Sequence, residues 1–148
     1  MNFLTRTAED HPVPYDAIRV LITGSREFTD RAVMEAALHQ VAAEWRDRRI
    51  TVVEGDARGA DKLSAAVAQA SPETFDVERH PAKWRLPDGS TNKKAGFDRN
   101  QLMVDLSATV CLAFLQRGEK NSGTRDCMRR AEAAGIPVRA HWNTAATG

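Results

Sequence analysis

Residues 19–26 read RVLITGSR, a nearly all-apolar run that ends in a glycine, a hydroxyl side chain and an arginine. Such a run predicts a central β-strand that is covered on both faces, because a half-exposed strand would alternate with polar residues. Four later runs share this apolar, β-branched character and alternate with helix-like segments, which is typical of a parallel sheet with crossover helices. The five predicted strands are 18–23, 50–54, 74–79, 109–115 and 136–140.

Four helices are predicted between these strands from apolar residues at helical spacing. They cover about residues 31–48 behind an Asp30 cap, residues 60–70, a segment that begins near Asp98, and a segment that follows Gly123 and ends at Gly135. Right-handed crossovers favour the strand order 3-2-1-4-5. The expected fold is an α/β domain of the Rossmann-like type, a doubly wound parallel five-stranded sheet. Its ligand crevice should open at the carboxyl ends of strands one and four.

The chain of 148 residues is long enough for one domain with a buried core and too short for two ordinary domains. We expect this single domain to cover residues 17–142. Residues 1–16 carry two prolines, which predicts a flexible or partner-docked arm, and residues 143–148 form a tail. Domains of this size and type commonly pair through helix faces, so a homodimer is expected.

The composition argues against several classes of protein. Lysine and arginine number 21 against 20 acidic residues, so the net charge offers little attraction to nucleic acid or to an anionic membrane. Cys111 and Cys127 are too few for a disulfide framework and fit a reducing cytoplasm. The four histidines are scattered, so no metal site is expected. We see neither a signal core nor a run of membrane-spanning length, and expect a cytoplasmic protein.

Three loops should meet at the crevice, and the first of them follows the opening strand. It consists of Gly24, Ser25 and Arg26, which supply a tight turn, a hydroxyl donor and a guanidinium suited to phosphate. The GxGxxG dinucleotide fingerprint is absent, because Phe28 and Thr29 stand where further glycines would be needed.

The second loop is bracketed by glycines and feeds a helix, whose amides and positive dipole end attract anions. Asp61 is either a site residue or a helix cap, and Arg58 either binds phosphate or is a solvated side chain. The flanking glycines favour the binding interpretation. The candidate residues of this loop are Gly55, Asp56, Ala57, Arg58, Gly59 and Asp61.

The third loop follows strand four and leads into Gly123 and Thr124, where another helix start offers amides to the same crevice. Arg99 and Asn100 open the preceding helix, and Arg99 either reaches over the site or decorates the surface. The long polar connection 81–97 is either a lid or binding loop or a surface excursion.

Together these motifs resemble those of the SLOG superfamily, which includes the Lonely Guy phosphoribohydrolases and DNA-processing protein A. The chain is most similar to the small proteins of the YspA/YpsA-related group. The resemblance spans residues 18–140 and implies a Rossmann-like nucleotide-binding domain that senses or processes a nucleotide-derived ligand. We expect no required cofactor. Such relatives tend to dimerise and occur in phages and actinobacteria. The matching motifs are GSR at 24–26, GDARGAD at 55–61, RNQLM at 99–103 and GT at 123–124.

The sequence departs from these relatives at two positions. The pattern of the Lonely Guy enzymes is PGGxGTxxE. In this sequence no PGG precedes the GT at 123–124, and Cys127 stands at the position of the glutamate. Asp126 is one residue earlier, but a helix turns about 100° per residue, which should redirect its carboxylate. Asp56 stands where many relatives have glycine, and it either points away or recognises a ribose hydroxyl.

Convergent loops without a convincing catalytic pair favour a binding module or sensor for a nucleoside phosphate or an ADP-ribose- or NAD-related compound. One alternative is a phosphoribohydrolase-type enzyme that hydrolyses an N-glycosidic bond, with Arg99, Asp126 and Asp61 as catalytic candidates. The other is DNA binding of the DNA-processing protein A kind. The balanced charge and only nine aromatic residues oppose DNA binding. A basic cluster favours it: Lys83, Arg85, Lys93, Lys94 and Arg99.

Overall fold

The computed structural model describes residues 5–6 and 17–144, and these residues form one parallel sheet of six strands. The sheet order is β1-β4-β3-β2-β5-β6, so the five expected strands stand in the predicted order 3-2-1-4-5. This arrangement confirms the Rossmann-like α/β fold. The strands are β1 (Thr5–Arg6), β2 (Ile18–Gly24), β3 (Ile50–Glu54), β4 (Phe75–Arg79), β5 (Val110–Leu115) and β6 (Val138–Trp142).

The sixth strand, β1, was not predicted from the sequence. It pairs in parallel with β4 at the sheet edge, with Thr5 opposite Val77. Two residues carry too little pattern to be recognised as a strand, because periodicity needs a longer window. The rest of the predicted arm, residues 1–4 and 7–16, and residues 145–148 of the predicted tail lie outside the described residues.

The helices are α1 (Arg31–Glu44), α2 (Ala60–Gln69), α3 (Ala95–Asp105) and α4 (Ser122–Ala133). Helices α1 and α2 pack on one face of the sheet, in a core that includes Ile22, and α3 and α4 pack on the other, with Leu21. Successive residues of a strand point to opposite faces, so β2 is buried on both sides as its composition predicts. Among the described helices, none combines the length and the apolar character needed to cross a lipid bilayer.

The end of α1 and the start of α3 differ from the prediction. Helix α1 ends at Glu44 rather than at Arg48, because Asp47 adopts a left-handed φ of 66° that does not fit an α-helix. Helix α3 begins at Ala95 rather than near Asp98. Asp98 lies in the first turn of α3, where the helix dipole favours an acidic residue. In the sequence it therefore looks like the residue that begins the helix.

The last helix and strand also require correction. Helix α4 begins at Ser122, so Gly123 lies inside its first turn rather than before it. Strand β6 begins at Val138 rather than at Ile136, because Pro137 has no N–H to donate to the ladder. The left-handed residue predicted after α4 is confirmed, since Gly135 has a φ of 81°.

The sheet order reverses between β2 and β5, which lie side by side with Gly24 opposite Phe114. After β2 the chain enters α1 on one face, and after β5 it enters α4 on the other. The two loops therefore diverge and leave a crevice between them at the carboxyl ends of the strands.

Candidate functional site

A cleft of about 630 Å³ opens at this switch point, where the crevice is predicted. Its volume falls within the range of roughly 300–1,000 Å³ that is typical of small-molecule sites. Among the predicted site residues, those that line the cleft are Gly24, Ser25, Arg26, Ala57, Asp61, Arg99, Asn100, Gly123 and Thr124. The others, Gly55, Asp56, Arg58, Gly59 and Asp126, do not line it, although several support residues that do.

The first loop is fixed by close packing against the start of α2. A Cβ atom on Gly24 would lie 2.8 Å from the Phe114 carbonyl oxygen and would also collide with Ala60, so only glycine fits there. The Ser25 carbonyl accepts hydrogen bonds from the amides of Phe28 and Ala60, at 3.2 and 3.1 Å. The cleft wall formed by this loop is therefore rigid.

In the second loop, the Asp61 carboxylate binds backbone amides that were expected to bind an anionic ligand. Asp61 Oδ2 accepts hydrogen bonds from the amides of Gly55 (3.2 Å) and Ala57 (3.3 Å). Gly59 allows the turn, since its φ is +80° and a Cβ there would lie 2.5 Å from the Arg26 carbonyl oxygen. Two amides predicted to bind phosphate are thus already paired with Asp61.

Asp61 is buried and lines the cleft. Burial raises the pKa of Asp61 to about 6, although the charge of Arg99 and the amide hydrogen bonds act in the opposite direction. A carboxyl group with this pKa changes protonation state close to neutral pH and can exchange a proton with a bound molecule.

Arg58 and Asp56 do not line the cleft. The exposed Arg58 guanidinium forms an ion pair with Glu27 at 2.7 Å. The Asp56 carboxylate accepts a hydrogen bond from Lys62 at 3.0 Å, and both Arg58 and Asp56 line a neighbouring depression. The geometry therefore favours an Asp56 side chain that points away from a bound ligand over one that recognises a ribose hydroxyl.

Arg99 reaches inward, as one of its two alternatives predicts. Its Nη1 donates to the Gly55 carbonyl at 2.6 Å, and its Nε donates to Asn100 Oδ1 at 3.1 Å. The guanidinium occupies the space that a side chain at Gly55 would fill, so this glycine is required by the arginine. Arg99 thus joins α3 to the second loop and brings a positive charge to the cleft.

The first turn of α4 faces the cleft without a side-chain cap. Asn121 precedes it in a left-handed conformation, with φ 55°, and makes no capping hydrogen bond. Its side chain instead bonds to the Gln116 amide (2.9 Å) and to the Gln116 and Glu119 carbonyls. Gly123 is exposed, and a Cβ there would have no neighbour within 4 Å. The helix start is therefore open towards the cleft.

Asp126 and Cys127 do not face the cleft. The Asp126 carboxylate is buried between α3 and α4, where Arg130 Nε donates to it at 2.8 Å and Asn100 Nδ2 at 3.1 Å. Burial raises the pKa of Asp126, but these hydrogen bonds outweigh that effect and the net shift is downward. The Cys127 thiol is fully buried in the core that also contains Cys111.

Glu54, the last residue of β3, was not among the predicted site residues and is fully buried behind the second loop. Arg79 Nε lies 3.3 Å from Glu54 Oε1 but is not aligned for a hydrogen bond, and neither carboxylate oxygen has a hydrogen-bond partner. Burial, reinforced by the charge of Asp61, raises the pKa of Glu54 to about 8. The sequence feature that could have identified Glu54 is its position at the end of an otherwise apolar strand.

The connection 81–97 forms one wall of the cleft, as the lid or binding-loop alternative predicts. It contributes Trp84, Lys93, Gly96 and Phe97. Within the basic cluster considered for DNA binding, only Lys93 and Arg99 line the cleft; Lys83, Arg85 and Lys94 are exposed elsewhere on the surface.

No group of three or more His, Cys, Asp or Glu side chains within residues 5–6 and 17–144 is placed to hold a metal ion. The chemistry available in the cleft includes backbone amides, hydroxyl groups, the Arg99 guanidinium and the Asp61 carboxyl, beside exposed charged side chains at its rim. Such groups bind and orient a polar molecule that carries negative charge.

The fold and the cleft at its switch point define a Rossmann-like domain of the doubly wound class. The sequence profile of the YspA, cpYpsA-related SLOG family (YAcAr) matches residues 18–86. The gene 61 protein of Mycobacterium phage D29 is 44% identical over 126 residues, which cover 81% of this chain and 93% of the phage protein. The chain belongs to the YspA, cpYpsA-related SLOG family, as its loop motifs predict.

Proposed function

We propose that the cleft binds a nucleotide or a nucleotide-derived molecule and that its phosphate lies against the first turn of α4. The observation that carries this proposal is the uncapped start of α4 at the cleft. Free amides and the positive end of the helix dipole at such a start attract a phosphate group.

Two features of the first turn favour an anion as its partner. Asn121 cannot cap the helix, because its side chain is committed to the backbone of residues 116–119. Gly123 has no side chain to obstruct a close approach, and the space beside it is open. A phosphate oxygen would then supply the acceptor that the capping side chain does not.

The charges around the cleft also suit a phosphate. Arg26, Lys93 and Lys120 are exposed and line the cleft, and Arg99 lies deeper within it. Glu27, Glu119 and Asp61 line it as well, so the positive charge is local and modest. This balance suits a small anionic molecule better than a polyanion, whose binding requires many cationic contacts.

Binding without rapid turnover is the function that these groups support best. The position at which the Lonely Guy pattern has glutamate holds the buried Cys127, and the adjacent Asp126 is engaged by Arg130 and Asn100. Neither supplies an acid or a base to the cleft. A sensor that reports a nucleotide derivative to a partner is consistent with this chemistry.

The test uses Gly123→Glu, which places a negative charge at the proposed phosphate position, with Gly123→Gln as its neutral control. A glutamate in the first turn is favoured by the helix dipole, so the variant should fold. Calorimetric titration with adenosine 5′-monophosphate and ADP-ribose should show affinity at least roughly tenfold lower for Gly123→Glu than for Gly123→Gln. Equal affinity of the two variants would contradict the proposal.

Hydrolysis of an N-glycosidic bond is a second candidate, and the position of Asp61 favours it. This carboxyl lines the cleft, lies near Arg99 and has a pKa raised to about 6, which suits a general acid. Chromatography of free base released from nucleoside monophosphates tests this function. Three results together would establish hydrolysis: base release falls as the pH rises through 6, disappears in Asp61→Asn and survives in Asp126→Asn. If no base is released, binding remains the function.

A further inference from the structure

Two large aromatic side chains, Trp84 and Phe97, line the cleft and leave 43% of their surfaces exposed. Neither participates in the phosphate contacts of the proposed function. Exposed tryptophan and phenylalanine at the wall of a cavity form an apolar surface that a ligand can cover. Their position within the cleft therefore calls for an occupant that is flat and apolar on its faces.

The segment that carries Trp84 is internally bonded. Arg85 and Thr91 form an antiparallel bridge, the Leu86 amide donates to the Ser90 carbonyl at 2.9 Å, and the Asn92 amide bonds to the Trp84 carbonyl. These contacts tie the two ends of residues 84–92 together. The backbone at Trp84 is therefore ordered before any ligand binds.

The indole ring is also held from two sides. Its Cη2 atom lies 3.3 Å from the position that a Cβ on Gly96 would occupy, so the missing side chain at the start of α3 makes room for the ring. The Arg26 guanidinium carbon lies 5.8 Å from the ring centroid, at a distance typical of a cation–π contact. The ring is thus fixed in orientation, while Trp84 as a residue remains 43% exposed.

We infer that Trp84 and Phe97 form a nucleobase subsite, in which the base of a mononucleotide stacks on the exposed indole and contacts the phenyl ring. This inference rests on the proposed function, because the phosphate at α4 would hold the nucleotide in the same cleft. Aromatic side chains bind bases through their π faces with little dependence on base identity. The subsite therefore selects nucleotides over sugar phosphates without selecting strongly among bases.

Two probes separate the base from the phosphate: adenosine 5′-monophosphate and ribose 5-phosphate. Removing an aromatic side chain from a stacked base weakens binding by roughly 5- to 150-fold. Trp84→Ala should weaken binding of adenosine 5′-monophosphate within this range and leave ribose 5-phosphate unchanged, and Phe97→Ala should act in the same direction. Trp84→Phe, which keeps an aromatic face, should retain most of the affinity.

Trp142 provides a matched control, since it is 41% exposed and does not line the cleft. Trp142→Ala should bind both probes as the unaltered protein does. Adenosine 5′-monophosphate should quench tryptophan fluorescence in the Trp142→Phe variant and lose this effect in Trp84→Phe.

Unchanged binding of adenosine 5′-monophosphate in Trp84→Ala and Phe97→Ala would overturn the base subsite and leave the phosphate site intact. An equal loss for ribose 5-phosphate would also overturn it, since the side chains would then act only by supporting the cleft. Failure of the unaltered protein to bind either probe would overturn both the subsite and the proposed function.

Discussion

Replacing Glu54 with glutamine is expected to stabilise the folded chain at neutral and alkaline pH. The Glu54 carboxyl is fully buried, neither of its oxygens has a hydrogen-bond partner, and Arg79 approaches it without forming a hydrogen bond. Its pKa rises from 4.5 to about 8 in the folded protein. The folded state therefore holds this proton more tightly than the unfolded state does.

The sign of the pH dependence follows from this difference in proton binding. Between pH 4.5 and about 8 the folded chain binds more protons at Glu54, so its free energy of unfolding decreases as the pH rises. One pKa unit corresponds to about 1.4 kcal/mol, so the full loss is roughly 5 kcal/mol, of which about 3 kcal/mol has occurred at pH 7. Glutamine cannot ionise and removes this loss.

Urea unfolding at pH 4.5, 7 and 8.5 measures the effect. The free energy of unfolding of Glu54→Gln, relative to the unaltered protein, should increase with each step in pH.

Glu78→Gln is the control of opposite sign. Burial raises the pKa of Glu78, but hydrogen bonds from His80 and Arg19 outweigh that effect and lower it to about 2. Its contribution is present above pH 4.5 and is lost as the pH falls towards 2, so Glu78→Gln should destabilise the chain at pH 7. Parallel pH curves for Glu54→Gln and the unaltered protein would show that Glu54 does not bind its proton more tightly in the folded state.

Three other predictions concern the turn at Gly59, the role of Arg58 and self-association. Gly59→Ala should lower the free energy of unfolding by several kcal/mol, because the new Cβ would meet the backbone of the first loop. Gly89 is the control, since it has a similar φ of +87° but no neighbour within 4 Å of an added Cβ. Gly89→Ala should cost only about 1–2 kcal/mol in thermal or denaturant unfolding. Arg58→Ala should leave calorimetric affinity for adenosine 5′-monophosphate within about twofold, since the Arg58 side chain is exposed and does not line the cleft. The predicted homodimer should give twice the mass of one chain in light scattering at tens of micromolar, and a monomer mass unchanged by ligand would contradict it.

The fold was predictable because its signals are local and strong. Residues 18–23 and 109–115 are apolar on both faces, and such strands occur in the middle of parallel sheets. The boundaries at Asp47, Ala95 and Pro137 were missed because they depend on individual backbone conformations and missing donors rather than on hydrophobic pattern.

The candidate site was predictable at the level of loops but not of side chains. The sequence identified the loops at Gly24, Gly55 and Gly123, and the cleft lies among them. It did not predict that Asp61 would accept hydrogen bonds from the amides of Gly55 and Ala57, and it favoured phosphate binding by Arg58 over the alternative of a solvated side chain. These outcomes depend on three-dimensional competition for hydrogen-bond partners, which no spacing in the sequence records.

Comparing the calorimetric affinities of adenosine 5′-monophosphate and adenosine for the unaltered protein is the most direct test of phosphate binding in the cleft. The two molecules share the base and the ribose and differ only in the phosphate. One charge-assisted hydrogen bond contributes about 1.5–3 kcal/mol, so adenosine 5′-monophosphate should bind at least roughly tenfold more tightly. Equal affinity, or no binding of adenosine 5′-monophosphate, ADP-ribose or NAD, would contradict the account.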